Sequence, residues 1–462
     1  MQNKCIVVGS GLVGSLWAYI LKKRGHDVEI FEKRSDPKNQ LAPAGRSINL
    51  VITSRGLHGL KVAGLLEKIL PITVPVYGRR IHPNFGDTVF QPYGRDKSEC
   101  NYSVSRWDLN KALIKACQEI SIPMHFEHEV LELNSQKKEI IFKTTSETKT
   151  KSYDKLFATD GAGSAIRKLL LKDYPQIFTE SVEWLNSDYK ELHLPKLSLG
   201  NSALEKNDLH IWPRGTHMMM GLANADNSFT MTLYLPKENH QFAFSNLTNE
   251  EKVKEMFQSE FSDSISHMPN YAKEFLENPQ GKLATVRLNK WNYEDSIALM
   301  GDAAHAIVPF FGQGMNLGFE DCTTLIRLLD DANQDWGKAF TAYDQTQRPN
   351  ANAIAEMALE NFVEMRDKVG DAQFQLKKKI EGVLEKEFPD LYRSRYGLIT
   401  YTLVPYARAQ EIGFKQSQLL DELSKNLQSA ESINLEKTKQ ILENEFFPWA
   451  KTKGLKTQSY KF

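Results

Sequence analysis

The fold class is decided near the start of the chain by the run Lys4-Cys-Ile-Val-Val-Gly-Ser-Gly-Leu-Val-Gly14. Its first five residues are mostly apolar and β-branched, which predicts a short buried strand. A helical pattern follows the glycines and stops at Arg24 and Gly25, and strand character resumes over residues 28–32. The first 34 residues therefore predict a strand-helix-strand unit that begins a parallel sheet.

Gly9, Gly11 and Gly14 have the GxGxxG spacing between the predicted strand and helix. Glycines at this spacing allow a tight turn and let a pyrophosphate approach backbone amides at the helix N-terminus. Glu32 lies 18 residues beyond Gly14, where its carboxylate is placed to bind a ribose hydroxyl. The pattern predicts a dinucleotide site without separating nicotinamide from flavin dinucleotides. Its plain alternative is a tight turn beside a surface glutamate.

The size and charge of the chain limit the possible functions. The 462 residues are enough for roughly three domains. Lys plus Arg total 58 and Asp plus Glu total 58, so the formal net charge is zero. This balance argues against a nucleic acid or an anionic membrane as the partner.

The cysteines and the apolar runs indicate the compartment. Cys5, Cys100, Cys117 and Cys322 show no metal-ligand spacing and are too few for a stabilising disulfide framework. No segment has the pattern of a secretory signal or reaches the ~18 apolar residues of a membrane helix. We therefore expect a soluble, cytoplasmic protein with no membrane anchor and no metal site.

The predicted elements are organised as a discontinuous α/β domain with an insertion. Strand-like runs over 155–160 and 296–300 resume the α/β pattern, whereas alternating strands such as 230–235 indicate an antiparallel sheet between them. The predicted parts are an α/β domain of residues 1–75, 101–175 and 282–368, a β-sheet domain of 76–100 and 176–281, and a helical C-terminal region of 369–462. The tail after Leu420 is rich in lysine and glutamate and predicts a solvated helix.

Two further glycine turns follow predicted strands. Gly301-Asp-Ala-Ala-His305 is followed by Pro309-Phe-Phe-Gly-Gln-Gly-Met-Asn316 and a helix predicted over 317–329. Amides at such a helix start stabilise negative charge, as develops at the pyrimidine edge of a reduced flavin, and Asp302 is placed to accept from a ribityl or ribose hydroxyl. His305 alone is more typical of a structural histidine. Asp160-Gly-Ala-Gly-Ser164 makes the third turn, with Ser164 as an N-cap.

The three turns together resemble those of the flavoprotein aromatic hydroxylases, single-component monooxygenases that use FAD and NAD(P)H. The resemblance runs over most of the chain. Its matching segments are Gly-Leu-Val-Gly-Ser15, Gly45-Arg-Ser-Ile-Asn-Leu50, Ser103-Val-Ser-Arg106, His210-Ile-Trp-Pro-Arg214, residues 301–316 and Glu364-Met-Arg366. In this family the Asp-Gly segment, here Asp160-Gly161, is associated with both FAD and the nicotinamide cofactor. The resemblance implies an FAD-binding Rossmann-like domain with an inserted antiparallel β-sheet substrate domain and a C-terminal helical region.

The resemblance also assigns cofactor-binding positions, with FAD as the cofactor and NADPH as the co-substrate. These positions are Gly9, Gly11, Val13, Gly14, Glu32, Lys33, Arg34, Arg46, Arg106, Val130, Asp160, Asp302, Gly314, Met315 and Asn316. The alternative for Arg106 is an ordinary charge at a helix start, where Ser105 and Asp108 fit a capping box.

Arg80 and Tyr93 match the positions that hold the amino-acid carboxylate of the substrate in this family, and Asn361 and Tyr406 match its other two substrate contacts. An arginine fork meets a carboxylate through two N–H donors, and a tyrosine hydroxyl adds a third bond. The residues alone do not prefer Arg80 over Arg79. Without the resemblance, Asn361 is typical of a helix surface and Tyr406 of a core.

Within the family, the resemblance is to the branch that hydroxylates L-kynurenine. The implied reaction converts L-kynurenine, NADPH and O2 into 3-hydroxy-L-kynurenine, NADP and water through a flavin hydroperoxide, in the kynurenine pathway of tryptophan catabolism and NAD biosynthesis. No residue is expected to act covalently. Two alternatives stay open, a related flavin monooxygenase acting on another aromatic ring or an alkene, and a non-catalytic binding protein with this fold. The oligomeric state is also open, with a homodimer as one option.

Overall fold

The computed structural model describes residues 2–39, 49–365 and 372–460, and these residues divide into two compact units. The first comprises Met1–Thr73, Val104–Leu185 and Lys282–Asn352, and the second comprises Val74–Ser103, Asn186–Gly281 and Ala353–Phe462. The three-part division expected from the sequence stays a prediction.

The strands and helices are numbered in chain order. The strands are β1 Lys4–Val8, β2 Asp27–Phe31, β3 Asn49–Ile52, β4 Val74–Val76, β5 Gly78–Ile81, β6 Val89–Pro92, β7 Asn101–Ser105, β8 Met124–His125, β9 Glu129–Asn134, β10 Glu139–Lys143, β11 Thr148–Ser152, β12 Lys155–Ala158, β13 Glu180–Leu194, β14 Asp208–Pro213, β15 Met218–Ala223, β16 Phe229–Pro236, β17 Gly281–Leu288, β18 Asn292–Tyr293 and β19 Ile297–Leu299. The helices are α1 Leu12–Lys23, α2 Ser54–Ala63, α3 Leu66–Ile69, α4 Arg106–Glu119, α5 Ala165–Asp173, α6 Glu250–Glu260, α7 Ser262–Ile265, α8 Tyr271–Glu277, α9 Asp302–His305, α10 Gly314–Asp331, α11 Trp336–Val363, α12 Ala372–Glu387, α13 Arg395–Tyr401, α14 Tyr406–Leu423, α15 Leu435–Ile441 and α16 Phe447–Thr452.

A six-stranded sheet in the order β18-β19-β12-β1-β2-β8 forms the centre of the first unit. Its strands run parallel except for the β18–β19 pair. Cys5 through Val8 of β1 are each at most 4% exposed, because helices or other strands cover a parallel strand on both faces. The predicted first strand and the helix after it are therefore confirmed as β1 and α1.

The second unit is built on the neighbouring strands β13-β16-β15-β14-β5-β6 of a larger sheet. These strands pair antiparallel except for β14 and β5, which run parallel, so the sheet is mixed rather than wholly antiparallel as expected. The reason is that β5 comes from a separate part of the chain and joins the edge of β14. Trp212, Met219 and Leu233 of this sheet and Phe257 and Phe261 from the α6 segment belong to one buried apolar cluster.

The C-terminal tail differs from the solvated helix expected from its lysines and glutamates. Leu442, Phe446 and Ala450 are each at most 2% exposed, and the ring of Phe446 lies 5.7 Å from that of Tyr392. Their spacing of four residues places them on one side of a helical segment, so they bury an apolar stripe while the charged residues face solvent. Within the described part of the chain, no helix combines the length and apolar character needed to cross a membrane.

Candidate functional site

Four neighbouring strands of the first unit end just before predicted site segments. β1 leads into Gly9, β2 into Glu32, β12 towards Asp160 and β19 towards Gly301. These strands run parallel in the order β19-β12-β1-β2, so their carboxyl ends lie at one edge of the sheet. Parallel α/β sheets bind their ligands at this edge.

The first glycine turn is tightly packed at Gly9 and Gly14 and open at Gly11. Gly9 has a positive φ of 103°, and a Cβ there would lie 2.6 Å from the Thr159 carbonyl oxygen. A Cβ at Gly14 would lie 2.0 Å from the Gly9 carbonyl oxygen. At Gly11, by contrast, a Cβ would meet nothing within 4 Å, and no side chain caps the N-terminus of α1. An open, uncapped helix start fits the diphosphate of a dinucleotide.

Glu32 is buried beside this turn. Its Oε2 accepts hydrogen bonds from the Ser10 amide at 2.9 Å and the Ser10 hydroxyl at 3.2 Å. Its Oε1 accepts from the Arg34 amide at 2.9 Å and from Arg34 Nε at 2.8 Å. Burial alone would raise the pKa of Glu32, but the hydrogen bonds and charge of Arg34 outweigh it and lower the pKa. The carboxylate is therefore an ionised acceptor fixed against the glycine turn.

The Gly301 turn and the helix after it pack against the first glycine turn through Val13. Cβ atoms at Gly301 and Gly318 would lie 2.9 and 2.5 Å from the Val13 Cγ2. The helix α10 begins at Gly314, and no side chain caps its N-terminus either. The first amides of α10, including those of Gly314 and Met315, are thus placed to stabilise an anionic group.

Asp321 of α10 holds the Gly301 turn and is missing from the sequence prediction. It is 0% exposed, and its Oδ2 accepts from the Gly301 amide at 2.8 Å and pairs with His305 Nε2 at 2.6 Å. Burial lowers the pKa of His305, but the charge and hydrogen bond of Asp321 raise it overall. Asp321 could have been found from the sequence, because it lies between Leu317 and Leu325 in the apolar stripe of a predicted helix, where a carboxylate needs a partner.

Asn316 has a similar positioning role. Its Nδ2 donates to the Val51 carbonyl at 2.8 Å and the Gly312 carbonyl at 2.9 Å, while its Oδ1 accepts from the Thr53 amide at 2.8 Å. The hydrogen bonds of the Asn316 side chain therefore connect the β3 segment to the start of α10.

The Asp160 carboxylate is hydrogen-bonded to residues at the start of α5. Its carboxylate accepts from the Ser164 hydroxyl at 2.6 Å and the Ala165 amide at 2.7 Å, and Ser164 caps α5 as predicted. Burial raises the pKa of Asp160 despite these hydrogen bonds. Its role towards a cofactor stays a prediction.

The other predicted cofactor residues are more dispersed. Lys33 and Arg34 are exposed after β2, and Val130 is half-buried on β9. Arg106 is exposed at the first position of α4, where Ser105 Oγ accepts from the Asp108 amide at 3.3 Å as the capping pattern predicts. Arg46 lies outside the described residues. Cofactor contacts at these positions stay predictions.

The two adjacent arginines of β5 point to opposite faces of the sheet in the second unit. Successive strand residues alternate between faces, and the register pairs Arg79 with Gln91 and Arg80 with Phe90. Arg80 is bound to Asp208, with both Nε and Nη2 at 2.7 Å from its Oδ2. Arg79 instead lies over the Tyr93 ring, with its Cζ 5.9 Å from the ring centroid. The structure thus brings Tyr93 together with Arg79 and not with Arg80.

Tyr93 belongs to an aromatic cluster that the sequence did not predict. Its ring stacks on Tyr396 of α13 at 5.2 Å, and the Tyr396 hydroxyl accepts from Asn101 Nδ2 at 3.0 Å. Burial and the neighbouring Tyr396 raise the pKa of Tyr93, so its hydroxyl remains a protonated donor. Tyr396 could be found only from the fold, because more than 300 residues separate it from Tyr93.

Asn361 and Tyr406 lie on other elements of the second unit. Asn361 is half-buried near the end of α11, with its Nδ2 3.3 Å from Met365 Sδ. Tyr406 is 0% exposed at the first position of α14. Their proposed contacts with a substrate stay predictions.

Comparison with known proteins extends these observations. A family model described as an FAD binding domain matches residues 2–358. The kynurenine 3-monooxygenase of Myxococcus xanthus (strain DK1622) is 40% identical over 453 residues, 97% of each chain. The enzyme of that name from Dictyostelium discoideum is 38% identical over 459 residues, 96% of this chain and 98% of its own.

A solved structure shares the fold. The tetrameric form of 2-methyl-3-hydroxypyridine-5-carboxylic acid oxygenase is 18% identical and has a TM-score of 0.65, covering 83% of this chain and 96% of its own. The glycine turns and the α/β fold of the first unit agree with the match to an FAD binding domain and with the 40% identity over 97% of the chain. The chain belongs to the kynurenine 3-monooxygenase family of FAD-binding proteins.

Proposed function

We propose that this protein is an FAD- and NADPH-dependent monooxygenase that converts L-kynurenine, NADPH, a proton and O2 into 3-hydroxy-L-kynurenine, NADP+ and water. The observation that carries the proposal is the 40% identity to a kynurenine 3-monooxygenase over 97% of the chain. The glycine turns of the first unit and the contact of Arg79 with Tyr93 in the second unit support it. The free state of all four cysteines is compatible with the expected cytoplasmic location.

FAD fits the first unit, where an open glycine turn and two uncapped helix starts are present. The Gly9–Gly14 turn would receive the diphosphate, Glu32 a ribose hydroxyl, and the amides at Gly314 and Met315 the pyrimidine edge of the ring. When bound, FAD takes a hydride from NADPH and activates O2 for transfer of one oxygen atom to the substrate ring. The protein residues therefore contribute binding and electrostatics, and none is required to act covalently.

The substrate carboxylate is assigned to Arg79 and Tyr93 instead of Arg80 and Tyr93. Arg80 already neutralises Asp208, whose carboxylate would be left unpaired beside it if Arg80 turned to a substrate. Arg79 has the charge, and Tyr93 the protonated hydroxyl, that a carboxylate needs for charge-assisted hydrogen bonds. Asn361 and Tyr406 complete the proposed substrate set, so the first unit would bind FAD and the second the amino-acid part of the substrate.

The proposal is tested by NADPH consumption of the purified, FAD-loaded protein with and without L-kynurenine. We expect L-kynurenine to stimulate NADPH oxidation and to yield a product heavier by one oxygen atom in mass spectrometry. Stimulation that yields hydrogen peroxide alone would make kynurenine an effector. A yellow protein that does not respond to kynurenine would favour another aromatic substrate, and a colourless protein that cannot bind FAD would favour a non-catalytic binding protein.

A further inference from the structure

The second unit contains a buried carboxylate, Glu99, that lies outside the predicted sites. The residue is only 4% exposed, and a Cβ at Gly94 would lie 2.3 Å from the Glu99 Cβ. The loop after Tyr93 therefore folds back on itself, and the missing side chain at Gly94 makes room for Glu99. A carboxylate so deeply buried needs several partners to remain ionised.

Glu99 has partners from three separate parts of the chain. Its Oε2 accepts from the Arg95 amide at 2.9 Å, and its Oε1 forms an ion pair with Arg393 Nη1 at 3.0 Å. Its Oε1 also accepts from the hydroxyl of Ser459, near the end of the chain. Burial raises the pKa of Glu99, but these bonds outweigh it and lower the pKa to about 2. Glu99 is thus an anion at every physiological pH.

The two ends of the Glu99 loop carry the aromatic cluster of the proposed substrate site. Tyr93 opens the loop and stacks on Tyr396, while Asn101 closes it and donates to the Tyr396 hydroxyl. Arg393 lies beneath α13, because a Cβ at Gly397 would come within 2.5 Å of its Nε. The Glu99–Arg393 pair therefore fastens the loop of Tyr93 to the helix of Tyr396.

The end of the chain is bound to the same place by two adjacent contacts. Ser459 donates to Glu99, and the Tyr460 amide donates to the Tyr401 carbonyl of α13 at 2.6 Å. The Arg393 guanidinium also lies over the Tyr401 ring, with its Cζ 5.6 Å from the centroid. The tail thus contacts both the buried anion and the helix that carries Tyr396.

We propose that Glu99, Arg393 and Ser459 are positioning residues that hold Tyr93 and Tyr396 in place for the substrate carboxylate, so that the end of the chain contributes to substrate binding. The proposal rests on the proposed function, because it assigns Tyr93 to the carboxylate. Glu99 and its partners act through Tyr93 and Tyr396 and need not touch the substrate.

The decisive variant is Ser459→Ala in the full chain, because it removes one hydrogen bond and leaves the buried ion pair intact. We expect its Kd for L-kynurenine, followed by the change in flavin absorbance, to rise about fivefold. The Kd for the decarboxylated analogue of kynurenine should stay at the wild-type value, since that ligand makes no use of the carboxylate site. Glu99→Gln should have a larger effect in the same direction, and it is compared with Asp96→Asn, which changes an exposed carboxylate of the same loop.

The outcomes separate this proposal from the proposed function. A wild-type protein that binds FAD but not L-kynurenine would contradict the proposed function itself. If the wild type binds L-kynurenine and Ser459→Ala binds it equally well, the positioning role is refuted. An equal loss for both ligands would also refute it, because that result indicates general loosening of the unit. The conclusion holds even if Glu99→Gln does not fold, since Ser459→Ala decides it alone.

Discussion

At the scale of single residues, Arg79 and Arg80 can each serve as the control for the other. They are adjacent, but Arg79 lies over the Tyr93 ring and Arg80 is bound to Asp208. Arg79→Ala is expected to raise the Kd for L-kynurenine by about 100-fold, since the carboxylate loses its charge-assisted donors. Arg80→Ala should leave that Kd within about threefold while lowering the stability of the protein, because Asp208 loses its ion pair. Titration of flavin absorbance with L-kynurenine measures the Kd of both variants. A loss of affinity confined to Arg80→Ala would assign the substrate carboxylate to Arg80 instead of Arg79.

Asp321 is a second residue whose role can be tested, because it fixes the Gly301 turn through the Gly301 amide and His305. Asp321→Asn removes the charge that pairs with His305 and weakens the acceptor of the Gly301 amide. We expect the Kd for FAD, measured by flavin fluorescence, to rise about 30-fold. Asp330→Asn, on the same helix in an exposed pair with Arg24, should leave it unchanged. Equal FAD affinity in the two variants would show that Asp321 does not position the turn.

The residues that could be predicted from the sequence are those whose role depends on local spacing. Gly9, Gly11 and Gly14 are recognisable because the turn and the helix start are contiguous in the chain. The choice between Arg79 and Arg80 could not be made, because it depends on which face of the sheet each residue occupies. Asp321 was missed although a carboxylate within an apolar helix stripe was a usable signal, because its partners Gly301 and His305 lie on other elements. Glu99 was missed because Arg393 and Ser459 lie far away in the sequence and only the fold brings them to it.

At the scale of elements, the start of α1 allows binding and folding to be tested separately. Gly11→Ala should leave the Tm of the FAD-free protein unchanged within about 2 °C, because the new methyl group meets nothing within 4 Å. The same methyl group should weaken FAD binding by at least tenfold, because it occupies the open side of the turn. Gly14→Ala should instead lower the Tm itself, since its Cβ would overlap the Gly9 carbonyl. FAD binding unaffected by Gly11→Ala would place the diphosphate elsewhere.

Elements with a strong local pattern were predicted well. The β1 and α1 bounds follow from an apolar run, three glycines and a basic helix end, all within the first 25 residues. The parallel pairing of β14 with β5 was not predictable, because no local signal tells which distant strand joins an edge. The tail was mistaken for a solvated helix because its charged residues outnumber the apolar ones that form the buried stripe.

At the scale of the whole molecule, two buried histidines, His210 and His217, lower the stability in acid. Burial is the main reason that the pKa values of His210 and His217 fall to about 4. In the unfolded chain a histidine titrates near 6.5, so between about pH 6.5 and 4 the unfolded state binds more protons. The free energy of unfolding should therefore be highest above pH 6.5 and fall as the pH is lowered, by about 3 kcal/mol for each histidine.

Denaturant titrations across this pH range measure that loss. His210→Gln should remove roughly half of the loss that comes from His210 and His217, because one of these two histidines no longer titrates. His193→Gln replaces an exposed histidine of β13 and serves as the control, with the wild-type dependence expected. The Glu99–Arg393 pair adds little to this loss above about pH 5 and adds to it below, because the Glu99 pKa is about 2 in the folded chain and 4.5 in the unfolded chain. A free energy of unfolding that does not change between pH 7 and 4.5 would contradict the predicted neutral state of His210 and His217.

The central claim for the whole molecule is that it transfers one atom of O2 to the ring of L-kynurenine. The most direct test supplies the FAD-loaded protein with NADPH, L-kynurenine and oxygen-18 gas and analyses the aromatic product by mass spectrometry. We predict 3-hydroxy-L-kynurenine carrying one heavy oxygen atom, with the label absent when only the water is enriched. NADPH consumption that yields unlabelled kynurenine and labelled hydrogen peroxide would contradict the claim.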